Sequence, residues 1–355
     1  MEGRPAGLGS RLVVAAFIGL ALLTLGLIVG SFPAGIYAVF HGGLSDQLSY
    51  GSYVHTFLFF GPVAAVLPFA VPIGGVFLLV LAVYAGMFVY GAAQQKRPIA
   101  AVRESFAAGA GALLESPFFV ILVAIGFLGF TGTFITAVSV SVLGSVGNPF
   151  ASVDPLLEFG SLALAPLREE LGFRVVLIGL FALVLSIGRS PREALRALWR
   201  PSAVFEGAAV GGAAGVIVWA ATLGSAVTFG VCHVNCGSAG GWSWAKLPDA
   251  VWGGLVLGYL YVRYGFHVAV LAHWGVDYFG SAYSFFGQSA FGISINATNV
   301  YLGQTLVDYD LTLLFGVASF VLVVYLGVKR YLVKEQGDDG RLIDKGPGAG
   351  PPLIT

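Results

Sequence analysis

Pro166-Leu-Arg-Glu-Glu-Leu-Gly-Phe-Arg174 places Arg168, Glu169, Glu170 and Arg174 inside an otherwise apolar run from about Leu156 to Ile187. Charges in such a run are expensive in lipid and face a bundle interior or a wet cavity. On a helix, Glu170 and Arg174 stand at i and i+4 and can pair on one face. Glu169, the next position round the helix, is left without a partner. A carboxylate beside a neutralised pair in an apolar setting is a candidate for acid–base work. The plainer alternative is an ion pair that fixes helix packing, with Glu169 lining a wet crevice.

The surrounding composition makes the setting a membrane. Of 355 residues, 57% are hydrophobic and 10% charged, and the mean hydropathy is +0.88. Several runs of about 18 or more apolar residues read as spanning helices, so the expected fold is an all-α, polytopic transmembrane helical bundle. A formal net charge of +0 removes the basic surface that nucleic acid requires. Cys232 and Cys236 are too few for a disulfide framework. The 51 glycines suit close helix approach in lipid.

Outward from the charged stretch, the chain divides into about eight spans. Leu12 to Gly30 reads as a retained first span behind Arg4 and Arg11. Phe69 to Ala93 is the second, preceded by a stretch broken by Pro62, Pro68 and Pro72 that reads as re-entrant or interfacial. The remaining expected spans are Phe118 to Leu143, the glutamate-bearing helix Leu156 to Ile187, Ala203 to Val234, Ala250 to Val262, Phe266 to Phe286 and Leu311 to Val328. Residues 1–117 form an N-terminal membrane region ending in a connector, 118–334 the core, and 335–355 a disordered tail rich in Gly, Pro and charge. Placing both termini in the cytoplasm puts every Lys and Arg there except Arg168, Arg174 and Lys246, as the positive-inside rule requires. Asn296-Ala-Thr298 is formally a glycosylation sequon, a tripeptide common by chance.

Three further intramembrane groups ask for partners. Phe229-Gly-Val-Cys-His233 brings an imidazole near the end of the Gly-rich span, with Phe229 one turn earlier on the same face. His273-Trp-Gly-Val-Asp277 puts an imidazole and a carboxylate at i and i+4. His267 reads as a packing hydrogen-bonder. Glu169, His233 and His273 come from three helices, as either a general-base site or a metal site requires. A zinc ion held by Glu169, His233 and His273 is one option, which thiolates of Cys232 and Cys236 could join; the alternative for the cysteines is buried packing. A non-enzymatic immunity, scaffold or transport protein would keep the same cluster for packing or for passage of protons or metal. Straight helices do not bring the three residues to one depth, so a break near Gly224 or Gly230, or shifted boundaries, is expected.

Together these stretches resemble the CPBP family of intramembrane proteases, also called the Abi or CAAX prenyl protease family. Glu169-Glu-Leu-Gly-Phe-Arg174 fits E-E-x-x-x-R, Phe229 to His233 fits F-x-x-x-H, and His273 to Asp277 fits H-x-x-x-N/D. Gly254-Leu-Val-Leu-Gly-Tyr-Leu-Tyr-Val-Arg-Tyr-Gly265 is similar to the family's penultimate helix and turn. The resemblance runs from about Leu156 to Tyr283. It implies an endopeptidase acting on membrane-associated, lipid-modified or prenylated CAAX-type proteins. Glu169 would be the general base, with His233 helping to hold water. His273 and Asp277 would stabilise the oxyanion, supported by Glu170, Arg174 and Phe229. No cofactor is favoured, with zinc the alternative. Asp277 stands where the well-known enzymes carry Asn, so it must be protonated, direct its charge at His273, or bind a metal.

Overall fold

In the computed structural model, residues 8–94, 96–205, 213–236, 241–293 and 302–343 are described. The sequon at Asn296 and the chain from 344 onward lie outside them. Among the described residues the chain is a helical bundle with one β-hairpin.

Five described helices are long and apolar enough to cross a membrane: Leu8–Phe40, Ile73–Ala93, Pro117–Leu143, Ala214–Asn235 and Thr305–Lys329. They match five of the expected spans with shifted ends. The first, α1 (Leu8–Phe40), continues well beyond Gly30 with Pro33 inside it. At about 1.5 Å per residue its length approaches 50 Å, more than the hydrocarbon core of a bilayer, so it projects past one face. The stretch broken by prolines is an antiparallel hairpin, β1 (Tyr53–Phe60) and β2 (Val63–Pro72). Its aromatic and β-branched residues suit a pleated surface, and the turn falls at Gly61, where φ is +62°. Residues 69–72 therefore belong to a strand, and α2 starts at Ile73 (Ile73–Ala93).

After α3 (Pro98–Ala108) and α4 (Pro117–Leu143) comes the glutamate-bearing segment. It consists of α5 (Pro155–Glu169), a π-helical stretch Glu170–Gly179 and α6 (Leu180–Val184). Asp154 caps α5, its side chain accepting from the Leu156 N–H at 2.9 Å. The basic connector forms α7 (Pro191–Trp199), opened by a capping box between Ser190 and Glu193. Of the span expected from Ala203, α8 (Ser202–Phe205) and α9 (Ala213–Asn235) are the described parts. α10 is Leu247–Tyr264. The span expected over Phe266 to Phe286 divides at Tyr278 into α11 (Phe266–Asp277) and α12 (Phe279–Phe291). α13 (Leu302–Tyr309) leads through a second π turn into α14 (Phe315–Ile343), whose helix runs on into the segment expected to be a tail.

α11 is the axis of the bundle. Phe266 to Gly275 are all buried, and Val268 to Ala272 are each 0% exposed. A helix apolar on every side has no solvent face and must be surrounded, here by α2, α4, α5, α10 and α12. Small residues bring α9 and α10 together. Thr222, Ala226 and Gly230 face Gly258, Gly254 and Val251, and a Cβ on Gly254 would lie 2.9 Å from the Cα of Ala226. Such small-xxx-small faces let helices approach in lipid, where van der Waals packing replaces the hydrophobic drive.

Candidate active site

α5 delivers Glu169 as its last α-helical residue, and π winding begins at Glu170. A π turn carries an extra residue and so resets the direction of every side chain that follows; such turns recur at functional sites. The register break thus lies in the glutamate helix. α9, where a break near Gly224 or Gly230 was expected, is continuous from Ala213 to Asn235.

Neighbouring elements hold the π stretch by its backbone. The Gly61 N–H at the hairpin tip donates to the Gly172 carbonyl at 3.2 Å. Ser225 Oγ on α9 donates to the Phe173 carbonyl at 2.7 Å. Gly172 is required there, because a Cβ would lie 2.3 Å from the Cβ of Phe59 and 2.8 Å from its carbonyl oxygen.

The polar groups converge on His273. Its Nδ1 lies 3.0 Å from Glu170 Oε1, and its Nε2 lies 3.2 Å from Asp277 Oδ2 and 3.7 Å from Glu169 Oε2. Glu170 also pairs with Arg174, Nε to Oε2 at 3.1 Å, and both of those side chains are 0% exposed. Glu169 keeps 17% exposure, so of the adjacent glutamates it is the one that water reaches. Spacing alone pairs Glu170 with Arg174; its second contact, to His273, depends on α11 lying alongside.

Phe229 is the aromatic centre of the cluster. Its ring centroid lies 4.6 Å from that of His233, 5.2 Å from Phe173 and 5.8 Å from His273. The Arg174 guanidinium carbon sits 4.6 Å from the same centroid, a cation–π contact that covers a buried charge without a second carboxylate. His233 Nδ1 lies 2.9 Å from its own helix's Phe229 carbonyl and donates to it, leaving Nε2 as the outward nitrogen. Cys232 and Cys236 are joined by a disulfide, which takes both thiolates out of the available metal donors. Among the described residues no three His, Cys, Asp or Glu side chains come together as a metal site would need.

His267 lies apart, fully buried, stacked on Trp199 at 5.9 Å and edge-on to Tyr90 at 4.9 Å. It packs, but neither ring nitrogen has a hydrogen-bond partner among the described residues, so the expected hydrogen-bonding role is not met. Arg168 is the residue that spacing left without a role. It is 8% exposed and lies over the Phe57 ring of β1 at 4.2 Å. The hairpin that meets it is a tertiary neighbour with no local sequence signal of contact.

The fold and site define an integral membrane protein, a helical bundle with carboxylates and imidazoles gathered inside it. Residues 153–279 match the family of the type II CAAX prenyl endopeptidase Rce1-like, in agreement with the CPBP resemblance and covering all three motif helices. Residues 1–152 lie outside that match. The match supports, in general terms, a CAAX-type intramembrane endopeptidase. No curated protein and no solved structure matches the chain significantly.

Proposed function

We propose that the protein hydrolyses a peptide bond near the carboxyl terminus of a membrane-associated, prenylated CAAX-type protein, with Glu169 as general base. The observation that carries this reading is the pairing of a partly exposed Glu169 with a buried, fully engaged Glu170 on either side of His273. Glu169 takes a proton from water as the oxygen adds to the scissile carbonyl, and then passes that proton to the departing amine. His233, through its outward Nε2, helps hold the water. His273, with carboxylates at both nitrogens, donates from both only as the imidazolium, the form that also stabilises a developing oxyanion. Asp277 directs its charge at His273 Nε2, one of the options open to an Asp at this position, and we assign it to positioning that ring alongside the oxyanion.

Water must reach the site, and the hairpin supports that. A two-stranded sheet has open edges whose backbone groups are not tolerated facing lipid, so β1 and β2 lie where protein or water covers them. The chemistry is taken to be metal-independent, with zinc at Glu169, His233 and His273 as the alternative. The membrane is taken to be the cell membrane, with both termini cytoplasmic.

The test is cleavage of a set of prenylated and unprenylated peptides by purified protein, with and without a strong zinc chelator. Cleavage is expected to survive the chelator and to fall roughly 10²–10⁴-fold in Glu169→Gln with folding unchanged. A Gln variant as active as the wild type would refute the role of Glu169, and loss with the chelator would restore zinc.

A further inference from the structure

Arg168, the residue before Glu169, lines a chamber of about 260 Å³ between the hairpin, α2 and α5. Its walls are mostly apolar, with Val54, Val71, Ile73, Phe77 and Leu156 among them, and His55, Ser161, Thr56 and Arg168 also line it. The last two are anomalous. Arg168 Nε and Thr56 Oγ1 are both buried without a hydrogen-bond partner among the described residues. A buried guanidinium normally has a carboxylate, since an uncompensated buried charge is costly. The carboxylate of Glu169, the next residue in the chain, is turned towards His273. The Phe57 ring lies 4.2 Å from the guanidinium carbon, and a guanidinium held against an aromatic face can still donate from its edge.

Two donors, one of them cationic, without acceptors in an apolar chamber describe a receptor for an anion at the end of an apolar chain. We propose that this chamber binds the free carboxyl terminus of the peptide substrate, with Arg168 and Thr56 reading the carboxylate and the apolar walls taking the last side chains. The proposal rests on the protease reading above. A planar guanidinium matches a carboxylate as a fork. The volume lies just below the usual range of ligand sites, roughly 300 Å³ upward, enough for a few side chains and too little for a two-chain lipid. Arg168 and Glu169 are consecutive, and an extended chain rises about 3.3 Å per residue. A substrate anchored at Arg168 therefore reaches the base within a few residues, and the anchor sets how far from the chain end the cut falls.

The experiment uses the full-length protein in detergent and a fluorescent farnesylated peptide ending in three apolar residues, as free acid and as C-terminal amide. Binding is measured to Glu169→Gln, whose cutting is expected to be too slow to interfere, and to the same background carrying Arg168→Gln, Arg168→Lys or Thr56→Val. The acid is expected to bind about tenfold or more tighter than the amide. Arg168→Gln should abolish that ratio, Arg168→Lys should keep part of it, and Thr56→Val should reduce it. A purely structural Arg168 would weaken both peptides together and leave the ratio intact, which overturns the proposal. Equal binding of acid and amide, binding of neither, or displacement of the acid by a free fatty acid as readily as by unlabelled peptide also overturns it. Wild-type cleavage of the amide at the same rate as the acid would do so while leaving the protease reading standing. Failure of the wild type to cut either would instead count against that reading.

Discussion

Glu170 carries more of the site than its spacing suggests. It accepts from His273 on one oxygen and pairs with Arg174 on the other, with all three side chains buried. Breaking a buried pair by neutralising one partner costs about 3–5 kcal/mol, because the other charge is stranded. Glu170→Gln is expected to lower the unfolding temperature in detergent markedly, whereas Glu169→Gln should leave it nearly unchanged; equal shifts would contradict the division of labour between the two. Asp277 gives a second residue-scale prediction. It works through a contact with His273 Nε2 that an amide oxygen can also accept. Asp277→Asn should therefore keep turnover within about tenfold, and Asp277→Ala should lose more than that. If Asn and Ala are equally damaging, the ionised carboxylate is needed and the positioning role is incomplete.

At the scale of elements, the decisive feature is how closely α9 approaches α10 and the hairpin approaches the π stretch. Gly254 presses on Ala226, one turn from Phe229, so the α9–α10 distance sets where Phe229 and His233 stand. Gly254→Leu should force the helices apart, reducing activity and stability together, while Gly253→Leu, whose Cβ position has open space, should be tolerated. Gly172→Ala is the corresponding test of the hairpin contact. Its methyl would meet the backbone of Phe59, and overpacking of this sort costs about 1–3 kcal/mol. The expected readout is earlier thermal unfolding and faster proteolysis within residues 53–72. An unchanged digestion pattern would mean that the hairpin is held by something other than Gly172.

For the whole molecule, the arrangement of basic connectors sets orientation. The α7 connector carries Arg192 and Arg196, while Lys246 opens α10 and pairs with Asp249 at 2.6 Å. With both termini cytoplasmic, as we propose, a membrane-impermeant thiol reagent should label Lys246→Cys from outside intact cells. Arg192→Cys should react only after permeabilisation. The reverse pattern would invert the topology without changing the bundle.

The sequence by itself determined the membrane setting, the helical class, the order of the motifs and the candidate residues Glu169, His233, His273 and Asp277, together with their supports Glu170, Arg174 and Phe229. These follow from local quantities: hydropathy over a helix length, and spacings that repeat on one helical face. Helix ends were less legible, as α1 running on to Phe40 and the division of α11 from α12 at Tyr278 illustrate. The hairpin was hidden because Pro62, Pro68 and Pro72 argue equally for a broken helix, and only pairing with a second strand turns such a stretch into sheet. Tertiary structure alone decided that the register break falls at Glu170, that Glu170 serves His273 as well as Arg174, and that Arg168 faces a chamber roofed by β1 and β2. Each of these depends on a neighbour distant in the chain, so no local spacing could encode it. A buried charge takes its meaning from what it is buried against.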